Sequence, residues 1–319
     1  MKTQVANKII EIRKKIEEAL PFGRVIPRHS DKGHFYEIID GAMTVPPIYS
    51  SVTGKLNILK DESLINFKMN RVLEYFFGHY KEINESNIME HIAKAEAVPQ
   101  QDFESAGDIG TRVHLYRQSI FEEWIKTGIK PKDFISFIPE VEKDIRAVSA
   151  VRALKKFVDE YDYIPVVCEL LVYSHKLKVA GTLDDLGIIK HYIRKGDKDC
   201  QHEIIHNLKT EVYNCLKCDM KYENEFILLD LKTSNSITKP HYFFQVALYC
   251  GMFVELTGLK PKRCIILQVS KEKGDYKILD LKKPTRIFNY AKHFLKVNDG
   301  LDFIRLLMRD NQKNIIKLI

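Results

Sequence analysis

The run Phe226-Ile-Leu-Leu-Asp230-Leu-Lys232-Thr233 decides how the rest of the chain is read. Its apolar start predicts a buried strand over 225–233. Side chains alternate faces along a strand, so Asp230 and Lys232 share one, at the end of an apolar run. A carboxylate and an ammonium there are costly unless they pair or line an open site. Taken alone, the fragment favours the plainer meaning, a structural ion pair or a strand end reaching water.

Working outward, apolar β-prone runs predict further strands at 164–173, 179–189 and 264–270, with a helix over 242–256 between the last two strands. The second run reads Val179-Ala-Gly181-Thr-Leu-Asp184-Asp185-Leu-Gly187. Gly181 permits close approach of a backbone or ligand. Asp184 and Asp185 fall on opposite faces, so one of them suits a shared site; a hairpin turn through the Asp-Asp pair is the bland alternative. Upstream, Ile109, Val113, Tyr116, Ile120 and Trp124 step by three or four residues, an amphipathic helix that opens on Gly110-Thr-Arg-Val-His114 and follows a loop at 98–108. His114 sits at the edge of its apolar stripe. Gln245 and Tyr249, four apart, share a helix face.

The first hundred residues predict a helical lead-in with an irregular stretch at 21–50, where Pro21, Gly23, Pro27, Gly33, Pro46 and Pro47 cluster. Ser50, Ser51 and Thr53 serve as turn or cap residues before a helix over 60–80, and the chain from Thr285 reads as helix. The expected fold is therefore α/β, a central mixed sheet flanked by helices. The segments are a lead-in at 1–100, a core at 101–284 with a charged insert at 190–224, and a helical end at 285–319.

Composition narrows the function classes. The 319 residues are 45% hydrophobic and 29% charged, which excludes collagen-like and wholly disordered chains. Lys plus Arg number 50 against 43 acids, and the net charge of +7 permits a polyanionic partner without demanding one. No run approaches the roughly 18 apolar residues of a membrane span. The first twenty residues lack an apolar signal core and predict a plain helix through Ile9, Ile12, Ile16 and Leu20. Six cysteines are too few for a disulfide scaffold at this length, so a cytosolic protein with reduced thiols is expected.

Each motif is weak alone, but their order is informative. Gly-Thr-x-x-His on a helix, Glu169 in a strand, Gly-x-x-Asp, Asp-x-Lys and Gln-x-x-x-Tyr on the next helix resemble the PD-(D/E)XK nuclease superfamily, closest to its RecB-like exonuclease branch. The segment Tyr49-Ser-Ser-Val-Thr53 and a helix containing Leu73-Glu-Tyr-Phe76 are similar to the lead-in of phage members. The resemblance spans about residues 100–270. It implies a restriction-endonuclease-like core and a metal-dependent deoxyribonuclease, an exonuclease rather than a sequence-specific endonuclease, working in the cytoplasm of a bacterium or a phage-infected cell. It further implies Mg²⁺ or Mn²⁺ held by His114, Asp184, Asp230 and the Leu231 carbonyl. Asp184 is preferred over Asp185 because it keeps the family spacing. Lys232 would orient the attacking water, Gln245 and Tyr249 would hold the substrate strand or brace Lys232, and Glu169 would line the site or pair with a base. The family's iron–sulfur branch has one cysteine upstream and three near the C-terminus, a pattern this chain lacks, so no cluster is expected.

The implied partner is DNA, single- or double-stranded, gripped through phosphates, with Arg112, Arg117, Lys239 and Lys271 as candidate contacts. No Walker motif is present, so helicase activity would come from a partner among replication or recombination proteins. Two other readings stay open: a catalytically silent DNA-binding module of a replication or packaging complex, and a structure-selective endonuclease. Separately, Cys215-Leu-Lys-Cys218 has metal-knuckle spacing, and Cys200 with His202 or His206 lies just upstream. These residues could close a structural zinc site; a reduced pair with incidental histidines is the competing reading.

Overall fold

The computed structural model describes residues 2–21, 24–30, 33–39, 45–59, 61–194, 196, 202, 204–207, 210, 212–281 and 284–299. In chain order the elements are α1 (Lys2–Ala19), β1 (Val25–Ser30), β2 (Gly33–Ile38), β3 (Ile48–Ser51), α2 (Val52–Lys55), α3 (Asp61–His79), α4 (Ile88–Thr127), α5 (Ile145–Glu160), β4 (Ile164–Ser174), β5 (Val179–Arg194), β6 (Ile204–Asn207), β7 (Val212–Cys215), β8 (Lys221–Lys232), α6 (Pro240–Thr257), β9 (Arg263–Val269) and β10 (Tyr276–Asp280). A further helix, α7, covers 284–299.

The apolar runs that mark β4, β5, β8 and β9 assemble as the middle of one mixed sheet. β5 pairs antiparallel with β4 and β8, β8 pairs parallel with β9, and β10 returns antiparallel on β9. The parallel step needs a crossover, and α6 supplies it, with Pro240 in its first turn and Gly258 at φ 70° ending it. The middle of the sheet is buried on both faces. One face packs Ile12 and Ile16 of α1, Val246 and Phe253 of α6, and Phe288 and Leu295 of α7. The other packs Ile109, Val113, Ile120 and Phe121 of α4 and Ala150, Leu154 and Phe157 of α5.

Four expectations need correction. The stretch at 21–50 is not merely irregular, nor the lead-in all helical: β1 and β2 form an antiparallel hairpin, β3 joins it, and β3 runs parallel to β5 through Ser50↔Val179 and Ser51↔Ala180. Proline is tolerated here because β1 is the sheet edge, where a missing N–H costs no ladder bond. The loop placed at 98–108 is part of α4, a continuous 40-residue helix that carries Pro99 inside it. Asp184 and Asp185 lie inside β5, far from any hairpin turn. The insert at 190–224 continues the sheet: β5 runs on to Arg194, and β6 and β7 form a ribbon alongside β8. The helix expected from Thr285 is α7, whose Phe288, Ala291 and Leu295 belong to the main core; residues 300–319 lie outside the described residues. Among the described residues, no helix is long and apolar enough to cross a membrane.

Candidate functional site

The antiparallel register of β5 with β4 and β8 brings the sequence motifs to one place. Glu169 falls between the Cys168–Asp185 and Leu170–Leu183 pairs, and so does Asp184, which sets the two acids opposite each other. Glu169 holds a φ of 51°, unusual for a residue with a side chain and worth on the order of 1 kcal/mol of strain. α4 crosses above and lowers His114 onto them. Ligating atoms of His114, Glu169 and Asp184 all lie within 4.8 Å of one another. The Leu231 amide donates to Asp184 Oδ2 at 2.7 Å, and the His114 ring donates to the Leu231 carbonyl. Leu231 therefore turns both main-chain polar groups toward the site.

Asp230 and Lys232 share a face, as strand alternation requires, and lie 2.6 Å apart. Neither Asp230 oxygen has a hydrogen bond of good geometry, although both are buried. Asp230 stands outside the His114–Glu169–Asp184 trio, next to it through its charge interaction with Asp184. The Lys232 ammonium also lies over the Tyr242 ring, 5.2 Å from its centre. Gln245 Nε2 donates to the Tyr249 hydroxyl at 3.4 Å, and both side chains line an open pocket of about 370 Å³ with His114, Glu169 and Asp184. Gly181 makes room for this wall: a Cβ there would sit 2.7 Å from the Tyr249 ring. His34 and Tyr36 of β2 and Thr53 of α2 line the same pocket. No local signal in the sequence marks these three, because they reach the pocket through the long-range pairing of β3 with β5.

Arg117, expected as a phosphate contact, has a different place. Its side chain is 0% exposed and cannot reach a bound strand. Instead its guanidinium donates to Asp185 Oδ2 at 2.7 Å and to Glu169, and lies 3.9 Å from Asp184. Asp184 and Asp185 thus converge on one arginine rather than serving unrelated faces. They still divide the work, since Asp184 reaches the pocket whereas Asp185 is sealed behind it. Of the other basic candidates, Arg112 is paired with Asp108 at 2.8 Å, and burial lowers the Lys271 pKa.

The charge balance has a chemical consequence. Four carboxylates, Glu169, Asp184, Asp185 and Asp230, face two cations, Arg117 and Lys232, leaving two negative charges in a poorly solvated place. Burial, helped by neighbouring acids, accordingly pushes Asp185 up to about 7 and Asp230 up to about 6, and it also raises Glu169. Burial would raise Asp184 too, but His114, Arg117, Lys232 and the Leu231 amide hold it below the usual carboxylate range. Burial lowers His114 to about 4, so its ring is neutral near pH 7 and free to act as a ligand. For Lys232, burial is outweighed by Asp230 and Asp184, and the ammonium stays charged. An oxygen-rich cluster with excess negative charge, a neutral imidazole and carboxylate oxygens lacking good donors fits a hard divalent cation.

In the insert, His202, Cys215 and Cys218 come together, with donor atoms within 4.8 Å. His206 does not join them; its ring stacks on Tyr213 with centres 4.2 Å apart. Cys200 lies outside the described residues. Comparison of the sequence with protein-family models finds no matching family, and comparison with curated proteins finds no match.

Proposed function

We propose that this chain is a metal-dependent nuclease that hydrolyses phosphodiester bonds of DNA, acting from an end, with a core of the PD-(D/E)XK kind. The observation that carries the reading is the convergence of His114, Glu169, Asp184 and both main-chain groups of Leu231 beside the Asp230–Lys232 pair, in a pocket open to a ligand. Four carboxylates gather round two cations there, and Asp184, the acid held below the usual carboxylate range, lines the pocket.

His114, Asp184, Glu169, Asp230 and the Leu231 carbonyl would hold Mg²⁺ or Mn²⁺. Such an ion supplies a water that ionises near neutral pH and shields the charge that grows on the phosphate. The chain's own groups do the rest. Lys232, kept charged by Asp230 and Asp184, orients the attacking water and offsets negative charge on the reacting phosphate. Gln245 and Tyr249 form the opposite wall and set where the strand lies. Arg117 touches no substrate; it is a positioning residue that fixes Glu169, Asp184 and Asp185 relative to one another.

The deciding assay follows end-labelled linear DNA, single- and double-stranded, with Mg²⁺, Mn²⁺ or EDTA, beside closed circular DNA. Wild type should degrade linear DNA only with metal and spare the circle, and Asp184→Ala and Lys232→Ala should each lose on the order of a hundredfold or more in rate. A folded wild type that binds DNA yet never cuts it with either ion would overturn the enzyme reading.

A further inference from the structure

The β6–β7 ribbon hangs beyond the end of β9, where the main core no longer reaches it. The ribbon's apolar support is a separate cluster of four buried residues, Tyr213, Cys215, Met220 and Tyr222. With partly buried Tyr192, Ile204 and Cys218 this makes a small core for a ribbon that pairs with β8 at three positions. The turn joining β7 to β8 carries Cys215-Leu-Lys-Cys218, and its backbone is shaped around a sulfur atom. The amides of Lys217 and Cys218 both donate to Cys215 Sγ at 3.4 Å. Asp219 then adopts φ 56°, which lets the chain reverse so that the Cys215 amide donates to the Met220 carbonyl at 2.8 Å. Gly196 packs beneath this turn: a Cβ at that position would sit 2.6 Å from the Cys218 carbonyl oxygen.

We propose that Cys215, Cys218 and His202 bind a structural zinc ion that fastens the β6–β7 ribbon to the start of β8. Two sulfurs and an imidazole suit zinc far better than the hard cation of the oxygen-rich pocket. Around a tetrahedral zinc, ligand atoms lie about 3.5–4 Å apart, so donors already within 4.8 Å need only a small closure. As the ion binds, each thiol gives its proton to solvent and a Zn–S bond replaces the S–H bond, with no change of oxidation state. The remaining position is filled by water or by a further side chain. The spacing of the sequence leaves His202 and His206 equivalent, and the structure separates them. The His206 ring belongs to an aromatic ladder, stacked on Tyr213, which stacks in turn on Tyr222 at 4.9 Å. Holding the ribbon does not depend on the nuclease reading, since none of the three donors lies among the residues that line the pocket.

The test measures metal content of the full-length protein purified without chelator, by elemental mass spectrometry. One zinc per chain is expected in wild type, in Asp230→Ala and in His206→Ala. Zinc should fall to near background in His202→Ala and in the double variant Cys215→Ser with Cys218→Ser. Because the double variant could fail to fold, wild type stripped of zinc and refilled with Co²⁺ gives an independent readout. Thiolate-to-cobalt absorption is expected, and cobalt bound only to the oxygen-rich pocket gives none. A folded wild type that holds no zinc after incubation with a zinc salt and shows no thiolate–cobalt band overturns the proposal. Loss of zinc in His206→Ala with retention in His202→Ala overturns the choice of donors.

Discussion

Arg117 is the residue on which the site's geometry turns. It is fully buried and answers Asp185, Asp184 and Glu169 together. Removing one partner of a buried ion-pair network strands the others in a medium that solvates them poorly. Arg117→Leu should therefore cost about 3–5 kcal/mol of unfolding free energy, read from urea denaturation. Asp184→Asn keeps a polar side chain at the pocket edge and should stay within about 1 kcal/mol of wild type while losing metal-dependent activity. Equal stabilities for the two variants would refute the division of labour between them. Gly181→Ala probes the opposite wall. Its methyl would meet the Tyr249 ring at 2.7 Å, so the ring must shift, and turnover should drop about ten- to hundredfold with the protein still folded. At this scale the chain was partly legible. Strand alternation put Asp230 beside Lys232 and helix spacing put Gln245 beside Tyr249, because both rules act over a few residues. Arg117 and Asp185 are 68 positions apart, and only the packing of α4 across the sheet makes them partners.

Among the elements, α4 shows where local rules misled. Pro99, Gly107 and Gly110, together with the polar residues around Asp108, carry the marks of a loop, yet the helix runs through them. What holds it is tertiary: Ile109, Val113, Ile120 and Phe121 bury against the sheet, and that burial outweighs the weak propensity upstream. Gly107 is exposed and nothing lies within 4 Å of a Cβ added there, so Gly107→Ala should stabilise the protein by about 0.5–1 kcal/mol in denaturant titration. Gly110→Ala should not match it, because the new methyl would lie 3.0 Å from Thr233 Oγ1 at the end of β8. A gain at Gly110 equal to that at Gly107 would show that the added methyl meets no obstacle at Thr233. The β1–β2 hairpin was hidden for a related reason. Pro27 reads as a breaker, but an edge strand has spare N–H positions, and the sequence does not say which strand becomes an edge.

For the molecule as a whole, the question is how a modest surplus of positive charge would hold a polyanion. The chain carries +7 overall, with Arg117 sealed inside and the Lys271 pKa lowered by burial, so Arg112 and Lys239 remain the better placed of the basic candidates. Arg112 already shares its charge with Asp108. Lys239 stands at the N-cap position of α6, six residues before Gln245. Few phosphate contacts mean a shallow dependence of affinity on salt. Each contact adds about −0.9 to the slope of log K against log salt, so three contacts would give about −2.7 and a loss of about fortyfold over a fourfold rise in salt. Binding of duplex DNA to the uncut Asp184→Ala variant, followed by fluorescence anisotropy across salt concentrations, measures that slope directly. Lys239→Ala should make it shallower by about 0.9. A slope near −7 or steeper in wild type would instead require a basic track beyond these residues, with the substrate channel running outside the pocket walls named above.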